Sequence, residues 1–493
     1  MNVQVWPISG LFEKVYSGES NFIFKKGGYR MKQTYSLTEG KILSSLMRFA
    51  VPVFFTLFLQ ALYGGVDLLV VGQFAQTADV SGVATGSTLL STLTMIITGL
   101  SMGITVLVGQ KIGMCKPKEA GRAIGSGICL FAVFAVLLTI FMVGGAEWLA
   151  TLLHAPQAAF EQTVQYIRIC GAGSLFIVAY NVLGAVFRGI GDSKTPLLTV
   201  IIACIVNIVG DLLLVAVFHM GAAGAALATV AAQAISVIVS LVIIRKRKLP
   251  FSFSKAYVRF NRRIIATQLK LGTPVALQEL FVGVSFLVIQ TIVNSFGVIE
   301  SAGVGVAEKV CAFIMLVPSA YMQSMSAFVA QNRGANQPER AKKALFYSMA
   351  TAFAAGLVML YLLFFHGDIL SSIFSKELPV IAASHSYLRA YAIDCLVCPI
   401  LFCFIGYYNG CEKTLFVMIQ GFVGAFLVRI PIVFLVSRLS KATLFQIGLG
   451  TPASSLVQIL LCVVLFVYLQ RKETVRRPTA PPLSNQADCN EQA

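Results

Sequence analysis

The sequence predicts an all-α integral membrane protein with twelve transmembrane helices in two six-helix lobes related by pseudo-two-fold symmetry. This prediction rests on composition, on the recurrence of long apolar runs and on an internal repeat. Of the 493 residues, 57% are hydrophobic and only 12% are charged, and the mean hydropathy is +0.81. Because about a quarter of the residues of a soluble domain are charged, this composition excludes an ordinary soluble protein.

The transmembrane helices are predicted from apolar runs that are long enough to cross a bilayer. The hydrocarbon core is about 30 Å thick, which takes about 20 helical residues. Runs of that length recur along the whole chain between short breaks rich in Gly, Pro or charged residues. They lie at residues 44–71, 83–108, 123–145, 161–186, 195–218, 222–244, 268–295, 302–328, 341–365, 383–408, 414–437 and 447–470.

The orientation is predicted from the lysines and arginines, which collect in short cytoplasmic loops. The breaks after the second, sixth and eighth runs are strongly basic, whereas those after the first, third, fifth and seventh contain no Lys or Arg. Both termini are therefore expected in the cytoplasm of a multi-pass protein of the cell membrane. Most of the net charge of +17 is then a topology signal, and no nucleic-acid partner is expected because no soluble basic domain accompanies it.

An internal repeat divides the chain into the two lobes. The segment "VGQKIGMCKPKEAGRA" begins at Val108, and "VAQNRGANQPERAKKA" begins at Val329. The matching pairs are Gln110 and Gln331, Gly113 and Gly334, Pro52 and Pro274, and Tyr166 and Tyr387. We therefore predict lobes at residues 37–245 and 268–470, a basic cytoplasmic linker at 246–267, and cytoplasmic tails at 1–36 and 471–493. Residues 1–30 are interpreted as accessory, either an upstream extension before Met31 or a disordered tail.

Two repeated lobes that rock against each other are a recurrent transporter architecture, with a substrate path at their interface and alternating access as the mechanism. The repeat therefore favours a transporter over a channel, a receptor or a scaffold. No zincin motif, nucleophile elbow or phosphate loop appears in the sequence, and each of these would indicate an enzyme. No enzymatic activity and no cofactor are expected, and the expected partners are a small-molecule substrate, a counter-ion and membrane lipid around a monomer.

Polar side chains inside the predicted helices of the first lobe indicate an ion site. Asn207 and Asp211 are one helical turn apart and therefore share a face. Asp67 and Thr229, in the first and sixth runs, lie at a similar depth, about 7–10 Å from the outer end at 1.5 Å per residue. An intramembrane carboxylate costs at least about 2.5–3.5 kcal/mol, so it normally faces a polar cavity and serves a function.

The residue types leave two questions open. Carboxylate, amide and hydroxyl oxygens suit a proton-coupled carrier and also suit Na⁺, so they do not separate the two ions. The alternative for Asp67 and Asp211 is a structural role, in which each caps a helix end or reaches to the outer interface.

The sequence resembles the multidrug and toxic compound extrusion (MATE) transporters over residues 37–470. The resemblance is carried by "LTEGKILSSLMRFAVPVFF", "QALYGGVDLLVVGQF", the paired "VGQKIG" and "VAQNRG", and "FRGIGDSKTP" leading to "NIVGD". It implies a two-lobed antiporter that exports organic compounds, often cationic and amphipathic, driven by an inward H⁺ or Na⁺ gradient. It also implies cation-binding and coupling roles for Asp67, Asn207, Asp211 and Thr229, with Na⁺ as a candidate ligand of the first three.

The resemblance has one departure and leaves four further candidates. Gly64 stands where many members of the family have Asn, so hydrogen bonding around Asp67 is expected to differ. The substrate-cavity candidates are Gln60, Tyr63, Glu308 and Arg429. Tyr63 is equally well explained as ordinary core, and Glu308 is followed by Lys309, so it either forms an ion pair there or contacts substrate.

Two alternative functions accompany drug antiport. One is a flippase for lipids or lipid-linked saccharides from a related two-lobed group, which should show a strongly cationic central cavity or extra helices. The other is a receptor or channel, which would not need paired carboxylates in one lobe.

Overall fold

The computed structural model describes residues 37–475 except residues 248, 252, 440 and 441. The predictions for residues 1–36, which include the extension before Met31, and for the tail after residue 475 lie outside the described residues. Within the described part, the secondary structure consists of helices and no β-strand is present.

In the first half of the chain, the described residues form eight α-helices. They are α1 (Ile42–Phe74), α2 (Thr77–Gly113), α3 (Pro117–Gly144), α4 (Ala146–Leu152), α5 (Phe160–Ala172), α6 (Ser174–Ile190), α7 (Lys194–Asp211) and α8 (Gly221–Lys246). A π-helical segment, Leu212–Val217, continues α7, and short 3₁₀ helices lie at Gln157–Ala159 and Lys255–Tyr257.

In the second half, the described residues form nine α-helices, and the long spans follow one another in the same order. They are α9 (Arg262–Asn294), α10 (Val298–Ile314), α11 (Leu316–Gly334), α12 (Pro338–Ser372), α13 (Leu378–Gly410), α14 (Thr414–Phe422), α15 (Ile430–Ser437), α16 (Leu444–Gly448) and α17 (Gly450–Val475). A π-helical segment, Val423–Arg429, joins α14 to α15.

The predicted number of membrane spans is confirmed in the described part of the chain. Eleven spans are long and apolar enough to cross a membrane, and the pair formed by α5 and α6, bent by 56°, makes a twelfth when it is counted as one. The bend was not predicted. It lies at Gly173, where a side chain would collide with Val230 on α8, so the missing side chain lets the two helices approach closely.

Side-chain caps fix where two important helices begin. Asp192 Oδ1 accepts hydrogen bonds from the backbone nitrogens of Lys194 and Thr195, both at 3.0 Å. Asn261 caps α9 in the same way. Such caps pair the donors that the first turn of a helix leaves free. The start of α7, and hence the depth of its polar residues, is thereby set by Asp192.

The two halves of the chain cross where the repeated sequence motif lies. A side chain at Gly113 on α2 would collide with the backbone carbonyl of Gln331 on α11, and one at Gly334 would collide with the carbonyl of Gln110. Small residues of this kind let transmembrane helices touch through their backbones. The side chain of Gln331 also donates a hydrogen bond to the carbonyl oxygen of Gly189 at 2.9 Å. The repeat therefore has a structural cause, since each copy needs glycine at the crossing.

The crossing lies at the end of the molecule that carries the loops at residues 114–116, 247–261 and 335–337. Lysines and arginines lie in these loops or directly beside them, and we call this end the basic end. The segment that precedes α1 is bound there to the second half. Leu37 N donates to Gln331 Oε1 at 3.2 Å, and Arg340 donates to the carbonyl oxygen of Gly40 at 2.7 Å. These contacts hold the two halves together at the basic end.

Candidate cation site

Three helices of the first half bring four polar side chains into the interior. They are Asp67 on α1, Asn207 and Asp211 on α7, and Thr229 on α8. Their exposed fractions are 5%, 0%, 0% and 4%, respectively. All four lie in the half of their helix that is farther from the basic end. The structure therefore brings together the residues that the sequence could only place at a similar depth.

Asp67 is the centre of this group, which we call the Asp67 cluster. Thr229 Oγ1 donates a hydrogen bond to Asp67 Oδ2 at 3.0 Å. The Asp67 carboxyl also interacts with the side chains of Asp211 and Asn207, and the two carboxyl groups interact with each other. Asp67 thus links α1 to both α7 and α8.

Five buried polar atoms of the cluster have no hydrogen-bond partner among the described residues. They are Asp67 Oδ1, both carboxyl oxygens of Asp211, and Oδ1 and Nδ2 of Asn207. A buried polar atom without a partner costs about 1–3 kcal/mol, and more when the group is charged. Two buried carboxylates also repel each other unless a positive charge balances them. The arrangement therefore calls for a proton or a metal cation.

The donor set fits either cation. It offers carboxylate, amide and hydroxyl oxygens, which a hard cation such as Na⁺ prefers. A proton fits as well, because a protonated carboxyl can donate to its ionised neighbour. Neither carboxyl group interacts with a lysine or arginine among the described residues, so no side chain in that part of the chain already supplies the positive charge.

The helix geometry changes directly after Asp211. The α-helical hydrogen-bond pattern of α7 ends there, and the π-helical segment Leu212–Val217 follows. Such π segments are rare and frequently lie at functional sites, because they rotate side chains relative to a regular helix. No pattern in the sequence predicted this change.

The substrate-cavity candidates of the first half lie near the cluster. Tyr63 is half-buried on α1 and interacts with Asp67 and with Tyr180 on α6. Gln60 donates a hydrogen bond to the hydroxyl of Tyr180 at 2.6 Å. Gln60, Tyr63 and Tyr180 are therefore a polar group that reaches Asp67 through Tyr63. Tyr180 was missed, because a tyrosine in an apolar run carries no distinguishing signal.

Gln233 is a second residue that sequence reasoning missed. Its side chain is buried and interacts with Tyr63. It lies one turn after Thr229 on α8, and its Oε1 has no partner among the residues that the structure describes. An amide four residues from Thr229 in an apolar helix was a usable signal, because residues at that spacing share a face.

Arg429 and Glu308, the two remaining candidates, lie in the second half and are not part of the Asp67 cluster. Arg429 Nη1 donates to Ser285 Oγ at 3.0 Å, and the guanidinium lies 4.6 Å from the centre of the Phe286 ring. Arg429 also interacts with Tyr387, as does Glu308. A separate polar group therefore exists in the second half.

The suggested ion pair of Glu308 with Lys309 is not present among the described side chains. Glu308 is half-buried, and its Oε1 has no hydrogen-bond partner in the described part of the chain, whereas Lys309 is exposed. Consecutive residues of a helix point to different faces, which explains why the pair does not form.

The departure at Gly64 leaves free space beside the cluster. A Cβ atom built at Gly64 meets no heavy atom within 4 Å, and the same holds at Gly65. A side chain at Gly64 is therefore sterically acceptable, and its absence keeps this side of α1 open.

Both halves of the chain match one protein-family model. The family model MatE matches residues 52–213 and matches again at residues 274–435. The chain belongs to the MATE transporter family. The two matches begin at Pro52 and Pro274, the pair of prolines that marks the same position in each half. The internal duplication is therefore a feature of the MATE fold.

Relatives and a solved structure agree with this membership. The chain is 24% identical over 455 residues to the probable multidrug resistance protein YoeA of Bacillus subtilis, covering 90% of this chain and 97% of the relative. It is 27% identical over 423 residues to the probable multidrug resistance protein YpnP of the same organism, covering 85% and 93%. A MOP superfamily transporter from Pyrococcus furiosus superposes with a TM-score of 0.83 at 18% identity, covering 90% of this chain and 98% of that chain.

As a MATE transporter, the chain is a multi-pass membrane protein that moves small molecules. The solved structure supports the fold alone at this level of identity. The predicted family and fold class are both confirmed.

Proposed function

We propose that this MATE transporter is a secondary active efflux transporter. It exports organic compounds, often cationic and amphipathic, across the cell membrane by antiport with H⁺ or Na⁺, with alternating access between its two lobes. The observation that carries this proposal is the Asp67 cluster, in which two buried acids from two helices interact. Five polar atoms of the cluster have no hydrogen-bond partner among the described residues.

The cluster supports ion coupling for a physical reason. An ion drives transport only if it binds one conformation more tightly than the other. Asp67 contacts side chains on α7 and α8, so a cation that draws the two acids together changes the relative positions of three helices. Binding at the cluster is thereby linked to the shape of the first lobe.

The crossing at the basic end supports alternating access. We assign the lobes to residues 37–245 and 268–470, joined by the linker 246–267, with the tails 1–36 and 471–493 and both termini in the cytoplasm. The glycine contacts at Gly113 and Gly334 close the molecule at the basic end. Transport then requires these backbone contacts to separate while the opposite end closes.

Aromatic side chains between the halves suit an amphipathic substrate. Phe58 on α1 contacts Phe313 on α10, with ring centres 6.5 Å apart, and Phe54 packs on Phe58. Aromatic rings bind flat apolar and cationic groups with little demand on shape. The relatives YoeA and YpnP are named as probable multidrug resistance proteins, which also supports a drug-like substrate.

The test is ethidium efflux from liposomes that contain the purified protein, under an imposed H⁺ gradient and then an imposed Na⁺ gradient. Asp67→Asn and Asp211→Asn should each lose gradient-driven efflux, because neutralisation removes the charge that attracts the cation. A coupling free energy of about 1–3 kcal/mol corresponds to a fall of about 5–150-fold. The gradient that drives the wild type identifies the ion.

Glu161→Gln is the matched control, because Glu161 is an exposed carboxylate on α5 of the same lobe. It should transport as the wild type does. Retained coupling in both Asp variants would contradict the proposed site. Wild-type protein that does not move ethidium but does move a fluorescent lipid would support the flippase instead.

A further inference from the structure

The first helices of the two lobes differ at one turn, although both helices carry an internal proline. At the spacing of Pro52 and Pro274, the counterparts are Tyr63 and Ser285, Gly64 and Phe286, and Asp67 and Ile289. Ile289 is 1% exposed, so an apolar side chain fills the place of the central acid. Phe286 occupies the place that Gly64 leaves open in the first lobe.

The residues at this turn of the second lobe hold the guanidinium of Arg429. Ser285 accepts its hydrogen bond at 3.0 Å, and the Phe286 ring lies 4.6 Å from it. Arg429 is 5% exposed and ends the π-helical segment of the span that corresponds to α7. A positive side chain is therefore fixed in the second lobe against the same turn that bears the cation-seeking acid in the first.

Arg429 interacts with a buried acid without forming a close ion pair in the described part of the chain. Asp394 on α13 is 1% exposed and interacts with Arg429, and Tyr387 on the same helix interacts with both Arg429 and Glu308. Asp394 Oδ1 and Arg429 Nε have no hydrogen-bond partner among the described residues. The guanidinium thus balances the negative charge of this region electrostatically, at longer range than a salt bridge.

We propose that Arg429 is a tethered cation that takes the place of a coupling ion in the second lobe, and so confines ion coupling to the Asp67 cluster. A covalently attached charge cannot leave the lobe during the transport cycle, whereas H⁺ or Na⁺ at the Asp67 cluster can. The second lobe therefore keeps its charge balance in every conformation. This inference rests on the proposed antiport function, and it adds a residue that sets the number of ions per substrate.

Removal of the tethered cation should create a second ion site. In Arg429→Gln, the carboxyl of Asp394 loses its balancing charge and takes up H⁺ or Na⁺ instead. The measurement is the coupling ratio of reconstituted protein, obtained from the cation gradient that just stops net ethidium flux. At the same ethidium gradient, we expect a smaller cation gradient to stop net ethidium flux in Arg429→Gln than in the wild type. The reason is that a further cation moves with each ethidium. Arg429→Lys should keep the wild-type ratio.

Arg438→Gln is the matched control for this experiment. Arg438 lies at the end of the same span, is exposed, and stacks on Phe434 at 4.9 Å, so its loss removes a similar contact but no buried charge. Arg429→Gln that transports at the wild-type ratio would overturn the proposal.

If Arg429→Gln does not fold, the double variant Arg429→Gln with Asp394→Asn decides the matter. It should fold and keep the wild-type ratio, because both charges are gone. Failure of Asp394→Asn to restore folding would also overturn the proposal. Asp67→Asn in the same assay tests the antiport site separately, so a failure there is distinguishable from a failure at Arg429.

Discussion

The two lobes of this transporter share a backbone plan and differ in the charge of their interiors. Both lobes contribute a glycine to the crossing at the basic end, and both have a π-helical segment in the corresponding span. In the described part of the first lobe, Asp67 and Asp211 lie in the interior and interact with no lysine or arginine, whereas Arg429 interacts with Asp394 in the second lobe.

The difference shows which parts of a duplicated fold are fixed. At Gly113 and Gly334 the backbone of the other lobe occupies the space of a side chain, so no substitution is accommodated without moving a helix. In the lobe interiors a side chain meets other side chains, and these can change together. The charged side chains of the two lobes therefore differ in the lobe interiors, where packing permits substitution.

The largest effect is expected where the lobes are equivalent. Gly113→Leu and Gly334→Leu should each destabilise the protein by about 3 kcal/mol, the upper end of the usual cost of overpacking, and abolish efflux, since a side chain there overlaps a backbone carbonyl. The midpoint of thermal unfolding in detergent measures this. Gly283→Leu on α9 is the control, because a Cβ atom there meets nothing within 4 Å. A large difference in unfolding midpoint between Gly113→Leu and Gly334→Leu would show that the two lobes are not equivalent at the crossing.

An acid transplanted into the second lobe tests the role of its fixed charge. Ile289→Asp should destabilise the protein by about 2.5 kcal/mol, near the lower end of the usual penalty, because Arg429 is bound one turn away through Ser285. The same substitution in an Arg429→Gln background should cost more. Unfolding midpoints of the four proteins in this cycle measure the difference, and equal costs in both backgrounds would show that Arg429 does not reach this position.

The buried threonines of α8 and α17 sharpen the comparison. Thr229→Val removes the hydrogen bond to Asp67, and we expect about tenfold weaker cation binding, as for the loss of about 1.5 kcal/mol at a charged acceptor. Thr451→Val should change cation binding less than about twofold, because Thr451 interacts with Tyr387 in the second lobe and not with the two acids of the Asp67 cluster. Isothermal titration with the coupling cation measures the affinity of both variants. Equal losses of affinity would contradict the assignment of Thr229 to the cation site.

The smallest effect is expected at the loops that precede the fifth and eleventh spans. Gly191 takes the left-handed conformation in the first, with φ of 88°, and Glu412 takes it in the second, with φ of 60°. A residue with a side chain is strained there by about 1 kcal/mol. Glu412→Gly should therefore raise the unfolding midpoint slightly, and Gly191→Glu should lower it. A lower midpoint for Glu412→Gly would mean that its side chain makes a compensating contact.

The sequence by itself determined the class, the spans, the duplication and the family. Each of these follows from local composition or from spacing along the chain, because a lipid-crossing helix must be apolar over its whole length. The four-residue spacing of Asn207 and Asp211 also places both on one face of α7, since that relation is internal to a single helix. Asp67 and Thr229, on two other helices, were placed only at a similar depth.

Only the tertiary structure decided which of these side chains meet. The contact of Asp67 with α7 and α8 depends on helix rotation and on the π-helical segment after Asp211, which no local pattern encodes. The same holds for Tyr180 and Gln233, and for the placement of Arg429 against Ser285 and Phe286. The depth of a residue follows from its position along one helix. Contact between side chains on two helices depends on how those helices pack, and packing joins segments that are distant in sequence.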